Sequence, residues 1–272
     1  MFIRDGNNSQ LLRPCPDPLQ WSLLFRSVFC GSLAGVLAGV VVLGVGSRLA
    51  MRVVALLNAE ANGTLTDAEQ VVGAITVGGT IELIVFGSLF GGLFAGVLWV
   101  VIRERLPERL SLRIPLVGVI ATLVGSFAII ESSNIDFRLF DPVILNVAMF
   151  MMLVGLTGST TAFGDWVLQR HLLSGAGAGI LYAALLGLGA LLTLPLTVFA
   201  FFVAGDFVDD PPRLAGVFFF VAAVGALLSW TRYTPWRTSI PQKAGAWIGS
   251  LGLAGLLVFS ELHLAGEINK IL

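Results

Sequence analysis

Long apolar segments recur along this chain, and few charged residues interrupt them. A bilayer core of about 30 Å requires about 20 apolar residues in a helix. Seven segments meet this requirement: Val28–Gly46, Ile81–Ile102, Ile114–Ile130, Pro142–Phe163, Ala176–Val203, Leu214–Trp230 and Ala244–Ser260. Lipid offers no hydrogen-bond partner to the backbone, so segments of this length cross a membrane as helices. The sequence therefore predicts an all-α integral membrane protein, a seven-transmembrane-helix bundle.

The composition favours the membrane class and excludes several others. Charged residues make up 12% of the 272 residues and hydrophobic residues 56%, whereas soluble domains carry about 25% charged residues. The net charge is −1, and the chain contains no block of Lys and Arg. These values exclude a soluble domain, a disordered chain and a protein whose main partner is nucleic acid.

The basic residues predict an orientation in the membrane. With a cytoplasmic N-terminus, 11 of the 16 Lys and Arg residues lie in cytoplasmic segments, and all six tryptophans fall on that side. Basic residues are retained on the cytoplasmic side, and indole rings prefer the headgroup zone. We therefore expect a cytoplasmic N-terminal segment (1–27), one membrane domain (28–260) and an extracytoplasmic C-terminal tail (261–272). We expect the location to be a bacterial cytoplasmic (inner) membrane.

Glycines recur at four-residue spacing in the first two predicted spans. The positions are Gly31, Gly35 and Gly39 in the first span, and Gly87, Gly91, Gly92 and Gly96 in the second. This spacing puts small residues on one helix face, which lets two helix backbones approach closely. The pattern predicts helix packing through these faces, either within the bundle or against a membrane protein partner or a second copy of the chain. Membrane lipids are the other expected partners.

The segment Ser47–Asn58, after the first span, carries two arginines on the side where basic residues are scarce. Arg48 and Arg52 are four residues apart and share a helix face. The segment is predicted to be an interfacial amphipathic helix between the first two spans, or a tilted extension of the first span. The arginines are expected to bind lipid phosphates or to pair with acidic residues of the same side. The candidate acids are Glu82, Glu131 and Asp136.

Glu82 is the acidic residue placed inside a predicted span. An ionisable group within a membrane is costly and marks a candidate functional site. Its expected roles are an ion pair with Arg48 or Arg52, exposure to headgroups, or a proton or cation site. The fourth span adds Asn146, Thr157, Ser159, Thr160 and Thr161. Together these residues indicate a possible polar pathway, although membrane hydroxyls usually bond to their own helix.

Catalytic and cofactor motifs are absent from the sequence. There is no His-Glu-x-x-His, no phosphate loop and no Asp-rich pair for diphosphate chemistry. The two cysteines, Cys15 and Cys30, do not have the spacing of a metal site, and His171 and His263 fall on opposite sides of the predicted membrane. We therefore predict no cofactor, no metal and no catalytic residue.

The sequence favours a non-catalytic membrane subunit or scaffold that packs through glycine-rich helix faces. The first alternative is a small-solute or ion transporter or channel that uses Glu82 and the polar fourth span. The second alternative is a lipid-modifying membrane enzyme, for which only Arg48 and Arg52 provide support.

Overall fold

The computed structural model describes residues 18–65, 71–74, 76–130, 132, 137, 140–173, 176–202, 217, 220–225 and 242–272. These residues form an all-helical structure and contain no strand. Apart from helices, they include an isolated antiparallel bridge between Leu65 and Val71. The loop that carries this bridge turns at Gly63 and Gly73, which both adopt positive φ angles (92° and 82°) that side chains disfavour.

The first helix is continuous from Pro18 to Leu57. It comprises α1 (Pro18–Ala38), a π-helical segment (Gly39–Val45) and α2 (Gly46–Leu57). Val45, at the junction with α2, keeps helical backbone angles of φ −73° and ψ −41°. The prediction of a separate interfacial helix is therefore wrong, and the segment with Arg48 and Arg52 extends the first span. The reason is local, because the apolar junction contains no proline or polar residue that could end the helix.

The second helix is also continuous through a π-helical segment. It comprises α3 (Val77–Phe86), the π segment (Gly87–Gly92) and α4 (Leu93–Ile102). The Thr76 hydroxyl accepts a hydrogen bond from the Gly79 N–H at 3.1 Å, so it caps the start of α3 as threonines commonly do. A 3₁₀ turn (Arg103–Arg105) follows α4.

Four further long helices follow along the chain. They are α5 (Leu110–Ile129), α6 (Val143–His171), α7 (Ala176–Phe202) and α8 (Gln242–Ile271). The sequence predicted a tail after Ser260, but α8 continues to Ile271. It does so because Leu264, Glu267 and Ile271 recur on one buried face. Residues 217 and 220–225 are helical, and the rest of the sixth predicted span lies outside the described residues.

The described helices include four that are long and apolar enough to cross a membrane. These are Ser22–Leu57, Leu110–Phe127, Val143–His171 and Trp247–Ile271, and a shorter apolar helix covers Gly177–Leu191. The structure is therefore that of a helical protein compatible with a membrane location.

The helix from Pro18 to Leu57 lies centrally. Its α1 part packs against α4, α6 and α7, and α5 packs against α6 and α8. The main apolar core joins α4, α5, α6 and α8 through Phe94, Trp99, Val124, Ala162 and Leu253.

A buried amide ties the end of α2 to the segment before α6. Asn58 is 3% exposed, and its side-chain nitrogen donates to the Asp141 carbonyl at 2.9 Å while its oxygen accepts from the Asp141 N–H at 2.8 Å. These two hydrogen bonds satisfy both backbone polar groups of Asp141, which lies in the loop before α6.

Candidate functional site

The glycines of the first two helices face each other inside the chain. A Cβ atom at Gly35 would lie 2.6 Å from the Gly96 Cα, and one at Gly39 would lie 2.7 Å from the Gly92 Cα. Real Cβ atoms do not approach backbone this closely, so the two helix backbones are in direct contact. We call this contact the glycine seam, defined by these residues: Gly35, Gly39, Gly87, Gly92 and Gly96. The seam leaves no space at these positions for a helix of another protein.

Gly91 differs from the seam residues. A Cβ atom there would meet the Leu43 side chain rather than backbone, just as one at Gly31 would first meet the Val100 side chain. Its contact is therefore with a flexible side chain, which can move more easily than a helix backbone.

A second close contact joins α5 and α6, and the sequence analysis did not identify it. A Cβ atom at Gly158 would lie 3.0 Å from the Val117 carbonyl oxygen, and the Ser159 hydroxyl donates to the Ile114 carbonyl at 3.2 Å. The sequence feature that could have predicted this contact is the pair of small residues Gly155 and Gly158. Its three-residue spacing differs from the four-residue spacing that identified the seam.

Asp165 of α6 is buried among polar side chains near the end of the glycine seam. It is 2% exposed. Its Oδ2 accepts a hydrogen bond from the Gln169 amide at 2.8 Å and lies 3.8 Å from Arg103 Nη1. Arg103 also donates to the Ser27 carbonyl at 3.3 Å and to the Ser27 hydroxyl. These side chains connect α1, the turn after α4, and α6.

Arg26 completes this group, which we call the Asp165 cluster (Arg26, Ser27, Arg103, Asp165 and Gln169). Arg26 donates to the Gln169 carbonyl and, at 3.2 Å, to the Leu172 carbonyl. The Gln169 carbonyl belongs to the last turn of α6 and Leu172 is the residue that follows it; backbone oxygens at a helix end lack partners within the helix. The cluster therefore holds one buried acid against an arginine and satisfies a helix end.

The sequence analysis missed Asp165 because the predicted fourth span ended at Phe163. Asp165 was therefore counted with the loop residues, whereas α6 continues to His171. The available signal was the polar group at four-residue spacing formed by Asp165 and Gln169.

One face of α8 carries a second buried polar group. Glu267 is 3% exposed; it accepts the Ser132 N–H at 2.7 Å and an Nζ–H of Lys270 at 3.0 Å. His263 Nδ1 lies 4.0 Å from Glu267 Oε1, and Ser260 is fully buried on the same face. We call these four residues (Ser260, His263, Glu267 and Lys270) the α8 polar face. The sequence analysis missed them because it assigned most of them to a tail.

The predicted site residues are only partly described. Arg48 is half-buried in α2, and its Nε and Nη2 have no hydrogen-bond partner. Arg52 is exposed, and its Nη1 lies 3.5 Å from the Gly73 carbonyl oxygen. Neither arginine forms an ion pair with a described acid.

The acidic residues proposed to pair with these arginines cannot be assigned a partner. Glu82 lies in α3, but its side chain is outside the described part of the structure, as are Glu131 and Asp136. Their pairing with Arg48 or Arg52 therefore stays a prediction.

Two threonine hydroxyls of α6 are satisfied within their own helix. Thr157 donates to the Leu153 carbonyl at 2.8 Å, and Thr161 donates to the Thr157 carbonyl at 2.7 Å. A cavity of about 20 Å³ lies beside Thr157, and its other lining residues are apolar or glycine. These two hydroxyls therefore give no support to a polar path along α6.

The described residues contain no group of three or more His, Cys, Asp or Glu side chains placed to hold a metal ion. Comparison with known proteins yields no matching family model, no similar curated protein and no similar solved structure. The functional argument therefore depends on the two polar groups and the helix contacts of this chain.

Proposed function

We propose that the protein is a non-catalytic membrane subunit or scaffold. The glycine seam is the observation that carries this proposal. Backbone contact along two helices leaves little room for relative motion, and the Asp165 cluster connects the same helices at one end of the seam. Such a rigid pair of helices is suited to supporting a neighbouring membrane protein.

The outer face of α8 is the surface that we propose for the partner. Its exposed residues lie three or four positions apart and are almost all apolar or glycine: Leu251, Gly255, Val258, Leu262 and Gly266. A Cβ atom at Gly255 or Gly266 would meet no atom within 4 Å. Unlike the seam glycines, these two positions are therefore free to receive a helix of another chain.

The proposed topology has seven spans with the N-terminus in the cytoplasm and the C-terminus outside, in a bacterial cytoplasmic membrane. The four described spanning candidates and the apolar helix Gly177–Leu191 support helical spans at those positions, and the distribution of basic residues supports the orientation. Reporter fusions at Leu272 test it, and a reporter that is active only in the cytoplasm would contradict it.

Extraction from native membranes with a lipid-preserving polymer, followed by native mass spectrometry, tests the scaffold proposal. We expect a defined complex with a partner chain or a second copy. Gly255→Leu should leave the isolated protein folded but abolish the complex, whereas Gly35→Leu should prevent folding. As a matched control, Gly187→Leu changes an open position on α7 and should preserve both. A monomer that carries only lipid, in wild type and all folded variants, would refute the proposal.

A small-solute or ion transporter or channel is the second candidate, and the α8 polar face is the observation that favours it. Ionisable residues within a membrane protein commonly line solute or ion paths. Flux of protons or alkali cations into liposomes that contain the purified protein would test this candidate. No flux above that of protein-free liposomes would exclude those substrates.

A further inference from the structure

Arg48 carries a positive charge at a half-buried position and has no counterion among the described residues. Two of its guanidinium nitrogens, Nε and Nη2, are enclosed and have no hydrogen-bond partner. The third nitrogen, Nη1, is not among the enclosed atoms and forms no hydrogen bond with a described residue, so an outside group can reach it. A guanidinium shares its charge over all three nitrogens. An anion bound at Nη1 therefore neutralises the whole group.

Arg52 lies one turn further along α2 and adds a second positive charge. Its side chain is exposed, and Nη1 lies 3.5 Å from the Gly73 carbonyl oxygen. No acid in the described part of the chain forms an ion pair with either arginine. Side chains four residues apart on a helix are neighbours, so one anion can bind both guanidinium groups. Cations in a membrane protein are costly without a partner, so the pair requires a counterion.

A row of exposed apolar side chains leads from Arg48 toward the middle of the first helix. Leu37, Val41 and Val45 are 51%, 61% and 49% exposed and follow one another at four-residue spacing, so they lie on one side of the helix. From Leu37 to Arg48 the helix rises about 16 Å, about half the thickness of the bilayer hydrocarbon. This is the depth that one acyl chain occupies.

The position of Arg48 along the first helix matches a membrane surface. Arg26 and Arg48 are 22 residues apart, with no charged residue between them. This separation corresponds to about 33 Å of helix, close to the hydrocarbon thickness of about 30 Å. When Arg26 lies at one membrane surface, Arg48 lies at the other, at the level of the lipid phosphates.

We propose that Arg48 and Arg52 bind the phosphate of one anionic phospholipid, whose acyl chain lies along Leu37, Val41 and Val45. The phosphate oxygens accept hydrogen bonds from Arg48 Nη1 and from the Arg52 guanidinium, whose planar fork matches a phosphate. An anionic headgroup suits the site better than a zwitterionic one, because it carries no amine to repel the arginines. The site lies on the first helix and is separate from the partner surface proposed on α8.

Photochemical capture of lipid at the apolar row tests the proposal. Val41→benzoylphenylalanine places a photoreactive group on the row, and Leu188→benzoylphenylalanine places one on α7, where Leu188 is similarly exposed at 53%. The full-length proteins are embedded in nanodiscs that contain equal amounts of phosphatidylglycerol and phosphatidylcholine with identical acyl chains. Mass spectrometry of the captured lipid gives the ratio of the two headgroups at each position.

We expect the ratio of phosphatidylglycerol to phosphatidylcholine at Val41 to exceed that at Leu188 on the order of tenfold, because two arginines attract the anionic headgroup. Replacing both arginines, Arg48→Gln with Arg52→Gln, should remove the excess, and added inorganic phosphate should not. Equal ratios at the two positions would overturn the proposal. Displacement by inorganic phosphate would also overturn it, because the occupant would then be a free anion.

Glu82, which lies in α3, is the competing partner that the sequence suggests. If Glu82 neutralises the arginines, phosphatidylglycerol should be enriched at Val41 only after Glu82→Gln, and that result would overturn the proposal. If the lipid is the counterion, the enrichment is present in the protein with Glu82 intact.

Native mass spectrometry gives a second test that keeps the charge of the chain. Arg48→Lys with Arg52→Lys retains two cations but removes the planar forks, and should weaken the tightest binding of phosphatidylglycerol several-fold. The matched control is Arg109→Lys with Arg170→Lys, at two exposed positions elsewhere, which should leave that binding unchanged. An equal effect of the two double variants, or none in either, would overturn the proposal even if the glutamine variant failed to fold.

Discussion

The glycine seam and the contact between α5 and α8 join helices in different ways. At the seam, glycine backbones of the first two helices touch, and a single added carbon would strike a neighbouring backbone. At the α5–α8 contact, Phe127 packs on Phe259 and His263, and two buried serine hydroxyls lack partners. The seam depends on the absence of side chains, whereas the second contact depends on large rings and leaves polar atoms unsatisfied.

This difference separates two tasks that a membrane helix contact can perform. In lipid, close backbone packing supplies dispersion energy without any polar group, so the seam is suited to holding helices together. Unsatisfied hydroxyls weaken a contact unless water or another group binds them. We therefore expect the α5–α8 contact to contribute less stability than the seam.

The largest expected effect is at the seam. Gly35→Ala should lower the free energy of unfolding by about 3 kcal/mol, because overpacking a tight contact forces backbone to move. Steric trapping in detergent micelles would measure the loss. Gly187→Ala is the control, since its Cβ would meet open space, and should stabilise α7 slightly. If both substitutions had the same effect, the seam would not be a tight contact.

The next effect is at the Asp165 cluster, which holds one end of the seam. Asp165→Ala should cost about 2 kcal/mol, since it leaves the half-buried Arg103 without its acidic partner. Asp165→Asn keeps an acceptor for Gln169 and should cost less. Glu108→Ala, at an exposed position, is the control in the same unfolding assay. An unchanged stability in Asp165→Ala would show that the cluster does not hold the helices together.

A smaller effect is expected on the α8 polar face. Glu267→Gln retains an oxygen that can accept the Ser132 N–H but loses the ion pair with Lys270, so we expect a loss of about 1 kcal/mol. The exposed Glu261 on the same helix gives the control Glu261→Gln, which should change stability by less than about 0.5 kcal/mol. A larger loss than that of Gly35→Ala would reverse the comparison between the two contacts.

The smallest effect is expected at Ser260. Ser260→Ala removes a hydroxyl that has no protein partner and should change stability by less than about 0.5 kcal/mol. Ser27→Ala removes a hydroxyl that accepts from Arg103 and should cost about 1 kcal/mol. Thermal unfolding of the two variants side by side is sufficient. A cost at Ser260 above that at Ser27 would mean that the serine has a strong partner.

The fold features that follow from local composition could be predicted from the sequence. The apolar runs predicted the helical membrane class, and glycines at four-residue spacing identified positions that the structure places in the seam. Both features are visible in neighbouring residues, because helix periodicity converts spacing directly into a shared face.

The features that depend on where helices end, or on which helices meet, could not be predicted. Asp165 and Glu267 lie beyond the predicted ends of their spans, at Phe163 and Ser260, where charge in the sequence suggested solvent. Both are buried because other segments cover them: Arg103 covers Asp165, and the segment around Ser132 covers Glu267. Hydropathy alone gives no information on such distant partners.

The paired π-helical segments have a consequence for how this chain tolerates insertions and deletions. The Gly39–Val45 and Gly87–Gly92 segments contact each other across the seam, and each holds a wider turn than an α-helix. A π turn holds about one residue more than an α turn, so removing one residue from either segment would restore an α turn while the helix beyond it keeps nearly the same phase. Arg48 and Arg52 would then stay on the same side of the bundle. We therefore expect these two segments to tolerate the loss of one residue better than α1, where the same deletion would rotate everything beyond it by about 100°.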